Sequence, residues 1–195
     1  MKMSWDVFAE EKMKMIASSA NVLDVGGGIK LGKGLSAYEK LFSKTDYKTL
    51  DIDSAYDPDI LGDIHQIPLP DASFEAVICK AVLEHVWDPG LAVREIYRIL
   101  KPGGKCLVYV PFLYPYHAGH GYKDYYRFSR DGIKYLFRNF STLEIEPVRG
   151  FWETWFYFLP YKLNKVFSPT LGRFLDQLKK QSGNQASGYN IFAVK

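Results

Sequence analysis

The segment Val22-Leu23-Asp24-Val25-Gly26-Gly27-Gly28 constrains this chain more than any other. A short apolar run too brief for a helix ends abruptly in three glycines, so a buried strand delivers its carboxyl end into a turn that lets backbone approach a ligand closely. Similar apolar, β-branched runs follow at Tyr47–Ile52, Ile60–Ile64, Phe74–Cys79, Lys105–Val110, Leu143–Val148 and Tyr189–Val194. Helical patterns fall between them. Ser4 caps a first helix, and Leu35–Phe42 forms the next. Asp88 and Pro89 start a helix over Gly90–Leu100 that stops at Lys101-Pro102-Gly103-Gly104. Ser129 caps another to about Arg138, and a last one lies near Leu171–Lys180. Strands alternating with helices predict an α/β fold: an open, Rossmann-like, mostly parallel seven-stranded sheet with helices on both faces and an antiparallel edge strand.

Composition narrows the function classes. The 195 residues fit one domain over 1–195, with a cofactor-binding part at about 20–110 and an acceptor roof and lid at about 111–185. A hydrophobic share of 47% supplies a core, and a net charge of +3 is too mild to point to nucleic acid. The tail residues Lys162, Lys165, Arg173, Lys179 and Lys180 read as a solvated basic face. Cys79 and Cys106 sit in apolar strands, as buried thiols rather than a disulfide or metal pair. With no signal-like or membrane-spanning run, the expected setting is cytoplasmic.

Three acidic positions stand where strand ends meet loops. Asp24 beside the glycine turn suits a cationic amine and not a pyrophosphate, which prefers helix N–H groups. Asp51 in Leu50-Asp51-Ile52-Asp53 can accept hydrogen bonds from ribose hydroxyls, with Asp53 as the alternative. Asp63 can take an adenine amino group while Ile64 covers a ring face. A dinucleotide site would want G-x-G-x-x-G; Gly26 and Gly28 fill two positions, and Leu31 replaces the third glycine. The missing third glycine disfavours a nicotinamide oxidoreductase, the alternative reading.

The motif series LDVGGG, LDID, GDIHQIPLPDASFEAVICKAVLEHV and RILKPGG resembles the class I S-adenosylmethionine-dependent methyltransferases, in the small-domain group of the ubiquinone-biosynthesis C-methyltransferase type. The resemblance covers about residues 20–110. It implies S-adenosyl-L-methionine as cofactor, with Asp24, Gly26 and Gly28 at its methionine end, Asp51 at the ribose, and Asp63 and Ile64 at the adenine. Lys80 and Ala81 would border the sulfonium, and His85 would shape its loop. The segment Ile29–Gly34 departs from the family: Lys30 stands at the usual third glycine, and the run is rich in lysine and glycine.

Beyond the fifth strand, Pro111-Phe112…His117…His120…Asp124-Tyr125-Tyr126-Arg127-Phe128 resembles a methyltransferase subgroup loosely associated with glycan and other secondary biosynthesis. This roof offers His117 or His120 as a proton acceptor and Arg127 as a clamp for an acceptor carboxylate or phosphate. Asp124 and Arg127 can equally pair with each other and pin the loop. No metal is expected, because no tight ligand spacing accompanies the two histidines. The aromatic run 151–161 is open to three readings: an acceptor lid, a homodimer contact or a weak membrane-surface contact. The expected activity is methyl transfer to a small-molecule, glycan or lipid-type acceptor, with no nucleic acid partner; a non-catalytic cofactor-binding subunit is the other alternative.

Overall fold

The computed structural model describes residues 3–119, 121–178 and 184–195. Seven strands form one sheet in the order β3-β2-β1-β4-β5-β7-β6. They are β1 (Asn21–Val25), β2 (Asp46–Asp51), β3 (Ile60–Leu61), β4 (Phe74–Lys80), β5 (Leu100–Pro111), β6 (Thr142–Val148) and β7 (Gly188–Val194). Strands β3, β2, β1, β4 and β5 run parallel, and β7 runs antiparallel to both of its neighbours. The reversed strand is thus one place in from the edge, inserted between β5 and β6.

Side-chain alternation explains how the sheet buries both faces. On one face Leu23, Val25, Val77 and Cys79 meet helix α2 (Pro89–Ile99) through its buried Val93 and Ile96. On the other face Val22, Ala76, Ile78 and Leu107 meet helix α1 (Ser4–Ala17) through Met13 and Ile16. Each fully buried aliphatic side chain of this kind contributes on the order of 2 kcal/mol of transfer free energy. Both cysteines are free and buried in these layers.

Local signals place most elements. Asp88 accepts a hydrogen bond from Leu91 N at 2.9 Å and caps α2, and Ser129 accepts one from Gly132 N at 3.1 Å and caps α3 (Arg130–Leu136). Three expectations change. Leu35–Phe42 is a 3-10 helix, entered through Gly34 in a left-handed conformation at φ +81°. Ser4 lies inside α1, whose cap is Met3. The Lys101–Gly104 stop signal loops out of the sheet, so the pairing of β4 with β5 jumps from Phe74–Leu100 to Ala76–Lys105.

The aromatic run becomes helix α4 (Phe151–Tyr157), followed by α5 (Tyr161–Phe167). A π-turn over Ser168–Gly172 then leads into α6 (Arg173–Leu178); Lys179 and Lys180 lie outside the described residues. No helix among the described residues is long and apolar enough to cross a membrane.

Candidate functional site

The carboxyl ends of β1, β2 and β4 open onto a cleft of about 570 Å³, where ligands of open α/β sheets are held. Gly26, Gly28, Asp51, Asp63, Ile64 and Ala81 all line it, as their sequence positions suggested. Gly26 needs to be glycine on two counts. Its φ is +64°, and a Cβ there would stand 2.7 Å from Val82 Cγ2.

Asp51 is held ready as an acceptor. Gly28 N donates to its Oδ2 at 2.9 Å and Asp53 N to its Oδ1 at 3.1 Å, which fixes the carboxylate while leaving lone pairs for hydroxyl groups in the cleft. Asp53 itself caps the short turn Ser54–Tyr56, so it serves its own loop. Asp63 Oδ1 is taken by His65, through the backbone N–H at 2.8 Å and Nδ1 at 2.6 Å. His65 stacks on Trp87 with ring centroids 4.3 Å apart, and both rings line the cleft. Ile52 also lines it, 70% exposed. An apolar residue directly after Asp51 at the strand end is the sequence signal for it.

Two residues expected at the cofactor, Asp24 and Lys80, are not among those lining the cleft. Asp24 does not line the cleft. Strand alternation turns it to the α1 face, where it is buried under Gly27 and accepts a hydrogen bond from Tyr47 Oη at 2.6 Å. Burial raises its pKa to about 6, against the opposing Tyr47 hydrogen bond and the Lys33 charge. The Lys80 side chain also stays out of the cleft, because its ammonium donates to Lys33 O at 2.7 Å. Its backbone carbonyl accepts from Lys33 beside the cleft.

That carbonyl belongs to a cradle that sequence reading missed. Lys33 Nζ donates to Gly26 O at 2.7 Å, Lys80 O at 3.0 Å and Ala81 O at 3.0 Å. Three carbonyls from the β1 and β4 ends therefore enclose one ammonium at the cleft wall. The loop carrying it is strained, with Leu31 at φ +56° and Lys33 at φ +51°.

The roof closes over the β4 end. Glu84 O accepts from Tyr125 N at 2.8 Å and Tyr126 N at 3.3 Å, so the LEHV segment anchors the roof loop by its backbone. His117 lines the cleft, with its Nε2 turned to Glu84 Oε1 at 3.6 Å. Burial raises the Glu84 pKa and lowers that of His85. Arg127 takes the pairing with Asp124 that the sequence left open beside an acceptor clamp. Its guanidinium is spent on Asp124, at 2.5 and 2.7 Å, and on the carbonyls of Tyr114, Pro115 and Tyr126, so it pins the roof. His120 lies outside the described residues.

None of the residues 151–161 lines the cleft. Helix α4 reaches the roof through Tyr157, stacked on Tyr114 with centroids 5.7 Å apart.

Comparison with known proteins finds similarity to methyltransferases. Residues 23–108 match the family described as methyltransferase domain. A probable S-adenosylmethionine-dependent methyltransferase of Mycolicibacterium smegmatis is 46% identical over 50 residues, 26% of this chain and 20% of that protein. The ubiquinone/menaquinone biosynthesis C-methyltransferase of Pseudoalteromonas translucida is 32% identical over 151 residues, 65% of this chain and 59% of that protein. The chain thus spans less than two thirds of these relatives. In fold, a solved S-adenosylmethionine-dependent methyltransferase from Mesorhizobium loti is similar with TM-score 0.63 at 16% identity, covering 98% of both chains.

Proposed function

We propose, from a chain that belongs to the class I S-adenosylmethionine-dependent methyltransferases, that it transfers the cofactor's methyl group to a small-molecule or glycan-type acceptor entering beneath the roof. One observation carries the reading: the carbonyls of Gly26, Lys80 and Ala81 already enclose an ammonium. The methionine end of S-adenosylmethionine presents an α-ammonium of the same chemistry, and these three carbonyls would hold it in place of Lys33. Asp51 would accept the ribose hydroxyls, Asp63 the adenine amino group, and Ile52 and Ile64 would cover the adenine. The cofactor supplies a methyl group already activated by its sulfonium, so the protein's task is to hold donor and acceptor in line and keep water out.

The acceptor side of the cleft has His85, His117, Tyr122 and Tyr125 along it. That mixture of aromatic faces and polar tips suits a ring or sugar bearing hydroxyl groups. Trp155 and Phe158 on the aromatic run are exposed, which favours a contact surface over a lid. A cytoplasmic setting fits two free, buried thiols.

Isothermal titration with S-adenosylhomocysteine tests the reading. One site per chain is expected. Asp51→Ala should weaken binding about 10- to 100-fold, the worth of losing charge-assisted hydrogen bonds. No binding by the intact chain would reject the cofactor, and unchanged affinity in the variant would move the ribose contact elsewhere.

A further inference from the structure

Glu84 is buried to 1% exposure beside the cleft, yet neither of its carboxylate oxygens has a hydrogen-bond partner among the described residues. A buried carboxylate left in this state costs several kcal/mol unless something cationic answers it. Two imidazoles face it instead. His117 Nε2 lies 3.6 Å and His85 Nε2 lies 3.8 Å from Glu84 Oε1.

Each ring is held by its other nitrogen. His85 Nδ1 sits 2.6 Å from Lys123 O. His117 Nδ1 sits 3.1 Å from Pro115 O and 3.3 Å from Asp124 Oδ2. Arg127 Nη2 also approaches this nitrogen, but at 3.4 Å, the longest of its contacts here. Acceptors at Nδ1 place the proton there and leave the Nε2 lone pair pointing at Glu84. With the rings in that tautomer, three electron-pair donors converge: Glu84 Oε1 and the two Nε2 atoms. The gaps of 3.6 and 3.8 Å are too long for a proton to bridge as a hydrogen bond. They match an ion at the centre: ligands about 2.1 Å from a tetrahedral zinc stand roughly 3.4 Å from one another.

We infer that Glu84, His85 and His117 bind a divalent first-row transition ion, with the remaining coordination positions open to the cleft. Two imidazoles and one carboxylate suit zinc, iron, cobalt or manganese better than calcium or magnesium, which prefer all-oxygen sets. Three protein ligands and an open position mark a catalytic type of site rather than a structural one. His85 and His117 line the same cleft as Ala81 and Tyr122. On the methyl-transfer reading, an acceptor hydroxyl oxygen completes the coordination and is held there in line with the methyl donor. His117 is then a ligand, not the proton acceptor expected from sequence. The sequence expectation of no metal weighed His117 and His120 with Asp124; the folded trio includes Glu84, 33 positions before His117.

The test uses the full chain stripped with a chelator. Titration with zinc by calorimetry, checked by elemental analysis after desalting, should give one ion per chain. Cobalt in its place should show the visible bands of a four- or five-coordinate site. Glu84→Gln and His117→Ala should each weaken zinc binding at least 100-fold. Melting curves and S-adenosylhomocysteine titration report whether each variant is folded. If Glu84→Gln does not fold, His117→Ala and the cobalt spectrum of the intact chain decide. Zinc bound no more tightly by the intact chain than by His117→Ala, or a six-coordinate aqueous cobalt spectrum, overturns the site. Zinc binding without S-adenosylhomocysteine binding would reject the methyltransferase reading alone; the reverse would reject the metal alone.

Discussion

Lys33 donates its ammonium to the carbonyl oxygen of Gly26 at 2.7 Å, while Lys80 reaches back to Lys33 O at the same distance. The two lysines thus lock the loop after β1 against the end of β4. Lys33 is held where a cationic ligand group would otherwise go, by a loop with two non-glycine residues at positive φ. Such a loop stores strain that leaving the cradle can release.

Replacing Lys33 therefore has a definite sign. A cofactor ammonium entering the cradle must displace the lysine, so Lys33→Met should tighten S-adenosylhomocysteine binding by about tenfold, or ~1.4 kcal/mol. Calorimetry on the two proteins reads this directly. Weaker binding in the variant would mean that Lys33 contacts the cofactor instead of competing with it.

A second prediction concerns Arg98. Its guanidinium donates to Ile67 O at 2.9 Å, Leu69 O at 2.7 Å, Asp71 Oδ1 at 2.8 Å and both oxygens of Glu95 at 2.8 Å. Glu95 Oε2 in turn accepts from Ile67 N at 2.9 Å. The end of α2 thereby fixes the loop that places Asp63 and Ile64. A lysine cannot reproduce that planar fork, so Arg98→Lys should lower unfolding free energy by about 2 kcal/mol in urea titrations. A loss below about 0.5 kcal/mol would show the network to be dispensable.

The Arg98 network also shows what was legible in the sequence and what was not. The IPLPDASF loop and the RILKPGG helix end were both visible as motifs, but their dependence on each other was not, because Arg98 reaches 27 to 31 positions back. Strand alternation and caps are local, so β1, β4, α2 and the Asp88 and Ser129 caps could be placed from spacing alone. Leu35–Phe42 spans too few turns for its apolar spacing to separate an α-helix from a 3-10 helix, and the tighter form escaped notice. Asp24 reads as a cofactor contact because a carboxylate beside the glycine turn can pair with a cationic amine. The period-2 rule, applied one residue at a time, turns it to the other face beside Tyr47. Lys33 and Glu84 carry no local signal, since the carbonyls and imidazoles that define them arrive from β4 and the roof.

Asp24 yields the last prediction. Burial lifts its pKa from 3.8 to about 6 in the folded chain, while an unfolded aspartate titrates near 3.9. Below about pH 4 the carboxyl is protonated in both states and costs nothing. As pH rises toward 6 the unfolded chain releases its proton first, so stability falls across that interval and the full penalty persists above it. Asp24→Asn is neutral at every pH and can still accept from Tyr47. Any fixed cost of the amide is the same at each pH, so comparing two pH values isolates the carboxylate. The variant's stability relative to the natural chain should be about 2 kcal/mol more favourable at pH 7.5 than at pH 4.5. Urea unfolding at the two pH values measures this, and an identical difference at both would show that Asp24 titrates normally in the folded protein.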